Sequence, residues 1–300
     1  MTRPARLAPC PLPAGGTIGI CAPSSRGAPD AAGMHILEDC GYRVFIHPQN
    51  GLTHHQSAGS AAERAQAIND LFADTGIDAI MAARGGNRVM HALPHLDFAA
   101  IVANPKPLIA FSDGTALINA IYARTGLCGY HGPTLSRLGR AQPHEIIQMT
   151  RALGGMETTL NWPDAKILKD GRVQGPMIGG NLSMMAALTG TPYMPDTTGA
   201  ILFLEDVGDQ LSRYDRMFVQ LRLSGAFEKL AGLVIGQIGT DGDSSVTPFG
   251  FTPDEIIAEH IAGLDIPVIV NAPFGHSGPL CTLPIGGVAH LDAGNLTLTF

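Results

Sequence analysis

Residues 107–125 read PLIAFSDGTALINAIYART, and the order of features inside this stretch decides the fold. Leu108 to Phe111 is a short apolar run with the pattern of a buried strand, and Thr115 to Arg124 places Leu117, Ile118 and Ile121 at helical spacing. Ser112 falls on the turn between them. A sharp strand-turn-helix elbow lifts a side chain out of a packed sheet, and the helix N-terminus behind it offers unpaired backbone N–H groups and partial positive charge. Such an elbow needs small residues on either side of the serine so that the strained turn can close. Ala110 and Gly114 meet that need. Simple capping also fits the segment, because Ser and Asp are common N-caps and either Ser112 or Asp113 has the right place.

Working outward, the same alternation recurs. Thr17 to Ala22 (TIGICA), Tyr42 to Ile46 and Ala79 to Ala83 read as strands, separated by helical spacing from Asp30 to Cys40 and from Ala61 to Phe72. Ser60 and Glu63 form a capping box for the second of these helices. Strands that alternate with helices imply right-handed crossovers and a mainly parallel sheet, with ligands beyond the strands' C-terminal ends. The unusual residues collect at those ends: Pro23-Ser24-Ser25, Arg84-Gly85-Gly86-Asn87, Ser112-Asp113-Gly114 and His131-Gly132-Pro133. Glycines at 85 and 86 let a backbone N–H approach a ligand closely, as an oxyanion donor must. No G-x-G-x-x-G is present, so this is not a dinucleotide fingerprint.

At 300 residues the chain exceeds the roughly 100 to 200 of a typical domain, and turn signals at Trp162-Pro163-Asp164 and Asp170-Gly171 place a junction near the middle. The expected division is 1–155, a linker at 156–172, and 173–300. In the second part Leu182 to Leu188 and Leu211 to Leu223 read as helices, the latter with a core stripe of Tyr214, Met217, Phe218 and Leu221. Ala200 to Leu204 is a strand running into Glu205-Asp206, a pair that is either delivered to the sheet edge or part of a bland loop. Leu233 to Ile238 and Pro267 to Asn271 are further strands, with a helix from Asp254 to Ile261 between them. His276 lies in the Gly/Pro loop after the last of these. Val288 to Asp292 and Leu296 to Phe300 form an expected hairpin.

A formal charge of −7 with no basic patch argues against a protein that tracks nucleic-acid phosphates. Arg3 and Arg6 are followed by LAPCPLPAGG, too broken by proline and glycine for an export signal, and no apolar run approaches a membrane span. The five cysteines are scattered without a C-x-x-C pair, which fits reduced, mostly buried thiols in a cytoplasmic protein. His54 and His55 are adjacent and no H-E-x-x-H exists, so neither a metal nor another cofactor is expected.

A serine on an elbow, an acid at a strand end and a loop histidine supply the nucleophile, orienter and base of a serine hydrolase, here in the order Ser112, Glu205, His276. FSDGTAL (Phe111 to Leu117), LFLEDVGD (Leu202 to Asp209) with the following SRYDRMFVQLRLSG, and PFGHSGP (Pro273 to Pro279) closely resemble three motif blocks of the LD-carboxypeptidases. That serine peptidase family also includes the microcin C self-immunity proteins. The likeness extends through GTIGICAPSS, ARGG, GYHGP and GGNLSMMAALTGTPYMPDTTGAILFLED, and so spans nearly the whole chain.

The resemblance implies a triad of Ser112, Glu205 and His276, with an oxyanion hole from the backbone N–H groups of Gly86 and Asp113. It implies an α/β fold, with an N-terminal flavodoxin-like parallel-sheet domain, a C-terminal β-rich α/β domain, the site between them, and a homodimer. The reaction it implies is release of the terminal D-alanine from the cytoplasmic murein tetrapeptide, a peptidoglycan-derived substrate. One departure stands out: the family often reads RGGYG, whereas this chain has Arg84-Gly85-Gly86-Asn87-Arg88. Arg84, Arg88 and the N–H groups of the Gly85-Gly86 turn are candidates for the substrate's terminal carboxylate, an anion that must be paired when it leaves water. Two other functions are compatible. One is a self-immunity type of amidase acting on acyl-sulfamoyl adenylates, for which Trp162 is the sole tryptophan able to stack a nucleotide; the other is a non-catalytic small-molecule binder.

Overall fold

The computed structural model describes residues 4–240, 248–279 and 281–300. The first half runs β1 (Thr17–Cys21), α1 (Ala31–Asp39), β2 (Arg43–Ile46), α2 (Ala61–Ala73), β3 (Ala79–Ala82), α3 (Phe98–Ala103), β4 (Leu108–Ala110), α4 (Gly114–Thr125) and β5 (Gly129–His131). A short α5 (Leu135–Leu138) and α6 (Pro143–Leu153) follow. Strands β1, β3 and β4 are buried almost throughout because helices cover both faces, which is why they read as unbroken apolar runs. β2, at the sheet's edge, alternates exposed and half-buried residues. The five strands stand in the order β2-β1-β3-β4-β5, all parallel, the doubly wound order of a flavodoxin-like sheet.

The second half contributes β6 (Thr159–Asn161), β7 (Lys166–Lys169), β8 (Arg172–Asn181), α7 (Leu182–Leu188), β9 (Ile201–Asp209), α8 (Leu211–Leu223) and β10 (Gly232–Thr240). It continues with α9 (Pro253–Ile261), β11 (Val268–Val270), β12 (Leu283–Ile285), β13 (Val288–Asp292) and β14 (Thr297–Thr299). Its sheet has the order β6-β14-β13-β8-β9-β10-β11-β7. The central β8-β9-β10-β11 are parallel, and antiparallel strands flank them on both sides. The result is a two-domain α/β architecture.

Two features depart from the expected division. Residues 156–172 hold β6 and β7, which form the two edges of the second sheet, and Trp162 between them is only 2% exposed. The turn signals there are real, but they separate short edge strands. β12, from within the span 173–300, pairs antiparallel with β5 and so extends the first sheet. Its Pro284 cannot donate to a ladder on both sides, and an edge position tolerates that.

Helix α4 carries the contact between the domains. Asn119, fully buried, donates to the Gly179 carbonyl (2.8 Å) and accepts from the Gly179 N–H (3.3 Å), while Thr115 Oγ1 accepts from the Asn181 N–H (3.0 Å). The strand ends of β4 and β9 are thereby brought to one cleft. Among the described residues no helix is long and apolar enough to cross a membrane. Cys10 and Cys40 are exposed, Cys21 and Cys128 buried and Cys281 intermediate, all as free thiols, so fewer are buried than the composition suggests.

Candidate active site

Ser112 has φ = 61°, in the left-handed region that a non-glycine residue adopts only when its surroundings enforce it. The enforcement is local. The Gly114 N–H donates to the Phe111 carbonyl (3.0 Å) and the Thr115 N–H to the Ser112 carbonyl (2.9 Å), closing the elbow onto α4. Capping, the other possibility for this segment, is not what these side chains do. Asp113 occupies the N-cap position without a capping bond, and its carboxylate instead accepts from the Val89 N–H at 2.9 Å. Burial pushes that carboxyl above its ordinary range, opposed by the Val89 N–H and the Arg64 cation.

The Ser112 Oγ is 2.9 Å from His276 Nε2, and His276 Nδ1 is 2.7 Å from Glu205 Oε2. Glu205 is fully buried. β9 does not stop at Leu204 as its apolar run suggests; pairing with β8 and β10 carries it through Glu205 and Asp206, so the acid sits on a rigid strand. The histidine arrives on the loop after β11. Gly275 before it has φ = 133°, and a Cβ there would lie 3.2 Å from Glu205 Oε2, so the imidazole reaches the acid only past a residue without a side chain.

The Gly85-Gly86 turn stands against the serine. A Cβ on Gly85 would be 2.8 Å from the Ser112 Cβ, and one on Gly86, at φ = 132°, would be 2.0 Å from Ser25 Oγ. Among the described residues neither the Gly86 nor the Asp113 N–H meets an acceptor. Arg84 is exposed and donates through Nη1 to the Arg26 carbonyl (3.1 Å). Arg88 is exposed with φ = 79°, and its carbonyl accepts from the buried Arg64 (2.8 Å). The arginines are therefore at the rim, and part of Arg84 is engaged in holding the loop after β1.

Several residues of this region have surroundings that the sequence reading does not give. Asp206, the second acid of the Glu205-Asp206 pair, lies on β9 and not in a bland loop. It is 4% exposed and accepts from the Ser183 N–H (2.8 Å), Ser183 Oγ (2.5 Å), Asn181 Nδ2 (2.9 Å) and its neighbour's Val207 N–H (2.8 Å). The N-terminus of α7 covers that face of β9, which the run of apolar residues could not reveal. Asn181 Nδ2 also lies 3.5 Å from Glu205 Oε1, while its Oδ1 caps α7 at the Met184 N–H. His131, at the end of β5, is buried between Phe111 (4.8 Å) and Phe203 (5.2 Å) with neither ring nitrogen bonded among the described residues. Burial, with the nearby His276 and Arg137, lowers its pKa to about 3, so it is neutral. Trp162 packs on Phe274 (6.0 Å) inside the core, so it is not available to stack on a nucleotide. Among the described residues no three His, Cys, Asp or Glu side chains gather into a metal-holding group.

Two α/β domains thus meet where a serine, a histidine and a glutamate lie in one hydrogen-bonded line. Family profiles match both halves: the LD-carboxypeptidase N-terminal domain over residues 18–132 and the LD-carboxypeptidase C-terminal domain over 174–291. The chain belongs to the LD-carboxypeptidase family. It is 31% identical to the microcin C7 self-immunity protein MccF of Escherichia coli, over 98% of this chain and 95% of that one. It is 30% identical to the murein tetrapeptide carboxypeptidase of Pseudomonas aeruginosa, over 95% of each. A solved structure of MccF in complex with aspartyl sulfamoyl adenosine superposes with a TM-score of 0.88 at 29% identity, covering 98% of both chains.

Proposed function

We propose that this chain is a cytoplasmic serine carboxypeptidase that hydrolyses the L,D bond releasing terminal D-alanine from murein tetrapeptide. The observation that carries the reading is the line from Ser112 Oγ through His276 to Glu205, with distances of 2.9 and 2.7 Å. Ser112 attacks the scissile carbonyl while His276 Nε2 takes its proton. Glu205 holds the opposite ring nitrogen and stabilises the imidazolium that forms. The N–H groups of Gly86 and Asp113 receive the developing oxyanion. His276 then gives the proton to the departing D-alanine amine, and water, activated by the same imidazole, releases the acyl group from Ser112. Arg84 and Gly85 flank the pocket for the terminal residue, and the assembly is a homodimer, measurable by light scattering.

The test compares kcat/KM for the tetrapeptide ending in D-Ala, its C-terminal amide and its L-Ala epimer, with products identified by mass. The acid is cut, the amide at least ~10²-fold more slowly, equivalent to about 2.7 kcal/mol of lost pairing, and the epimer is inert. Equal turnover of acid and amide would remove this reading. The second reading, an amidase for acyl-sulfamoyl adenylates, is favoured by the likeness to MccF, and aspartyl sulfamoyl adenosine belongs in the same assay. The interior position of Trp162 weighs against it, since a nucleobase must find another stacking partner.

A further inference from the structure

We propose that Arg137 is a positioning residue that sets His276 against Ser112 from outside the hydrogen-bonded line, an inference that rests on the functional reading above. Arg137 lies on α5, whose approach is fixed by the Ser136 N–H donating to the Ala83 carbonyl at 3.0 Å, so the segment crosses the C-terminal edge of the first sheet. Its guanidinium stands 4.6 Å above the ring of Phe111, the residue next to the nucleophile. The same group donates through Nη2 to the backbone carbonyl of His276 at 3.0 Å. The Phe111 ring is in turn 4.6 Å from the imidazole. One side chain therefore touches the neighbour of the nucleophile in one domain and the main chain of the histidine in the other.

The histidine loop needs such a tie. From Gly275 to Pro279 the chain has no regular structure, and among the described residues Arg137 is the only donor to any backbone carbonyl in that span. Glu205 holds the ring at one end but cannot fix the carbonyl behind it. A planar fork can lie on an aromatic face and still reach a carbonyl at its edge, which a lysine ammonium cannot do at once. Burial works against the cation here, and Glu205 works in its favour. A displacement of about 1 Å at a reacting group costs on the order of 10²-fold in rate.

The experiment measures kcat and KM on the D-Ala tetrapeptide, together with the rate at which a fluorophosphonate labels Ser112, mapped by peptide mass. Arg137→Met is expected to lower kcat and labelling together by about 10²-fold, with KM within about threefold of wild type. Arg137→Lys, which keeps the charge and a donor but not the plane, is expected to recover about tenfold of that loss. A raised KM with unchanged kcat and labelling would mean that Arg137 holds substrate instead, and the proposal falls; it falls equally if all rates stay at wild type. If thermal unfolding shows that the Met variant does not fold, Arg137→Lys and Phe111→Leu carry the test, each expected to lose about tenfold in labelling, and wild-type labelling in both overturns it. Failure of the functional reading looks different: wild-type protein that labels at Ser112 but does not prefer the D-Ala tetrapeptide removes that reading and leaves the labelling rates to decide on Arg137, whereas wild-type protein that does not label at Ser112 at all overturns both.

Discussion

The two ends of the Ser112–His276–Glu205 line are built by different means. At the serine end the backbone does the positioning: a residue at φ = 61° in the turn after a three-residue strand, held by two backbone hydrogen bonds and hemmed in by glycines. At the acid end side chains do it: Glu205 lies in a buried strand, with Asn181 and Asp206 beside it and α7 closing over them. The serine end stores strain in a turn that only small neighbours permit, and the acid end encloses two carboxylates whose desolvation must be offset by donors. Replacing the serine's own side chain should therefore leave the scaffold intact, whereas replacing polar residues around the acid should not.

The comparison breaks most directly at the functional groups. Ser112→Ala is expected to lose on the order of 10⁴-fold or more in kcat with an unchanged thermal midpoint. Glu205→Gln, which keeps the shape and removes the charge, should lower kcat by about 10³-fold with little effect on KM. Steady-state kinetics alongside a melting curve decides both, and near-normal turnover in the serine variant would sink the assignment. Next in size is Asp206→Asn. It leaves donors from Ser183 and Asn181 facing an amide instead of a carboxylate, and should cost about 3 kcal/mol in urea unfolding. A cost below about 0.5 kcal/mol would show that the acid end is no more dependent on side chains than the serine end.

The smallest effect belongs to His131. Its folded pKa of about 3 lies below its ordinary 6.5, so between those values the unfolded chain binds the proton that the folded chain refuses. Stability is full above about pH 6.5 and declines as pH falls through this window. The contribution is about 2 kcal/mol between pH 7 and pH 5. His131→Phe, which retains an aromatic body between Phe111 and Phe203, should flatten that slope by the same amount. An unaltered pH dependence would assign the acid sensitivity to other groups.

Much of this arrangement was legible in the sequence because buried parallel strands are contiguous apolar runs. Leu182–Leu188 and Leu211–Leu223 fall where their helical spacing put them, and the Ser60/Glu63 capping box forms. The elbow serine, the acid after an apolar strand and the loop histidine could each be found, and they come together. What escaped did so for physical reasons. β7 is exposed at every residue and has no apolar pattern to read, and β12 is three residues long with a proline in the middle. Asp206 is buried by α7, a helix 18 residues or more before it in the chain, so its importance is a tertiary fact. Arg137 sits on a single helical turn, with partners 26 and 139 positions away, and no local spacing announces either.

The pairing of β12 with β5 has a consequence for biosynthesis. The chain emerges from the ribosome with β1 to β5 complete, yet the outer edge of β5 stays open until residues 283–285 of 300 have been made. An unpaired strand edge is a template for pairing with another chain, and nascent domains normally fold in the order of their synthesis. Here the first domain must wait for the second to be nearly finished. A fragment ending near residue 155 would leave translation with that edge bare, and should be found with chaperones or in aggregates, while a chain that includes residues 283–285 can close the edge.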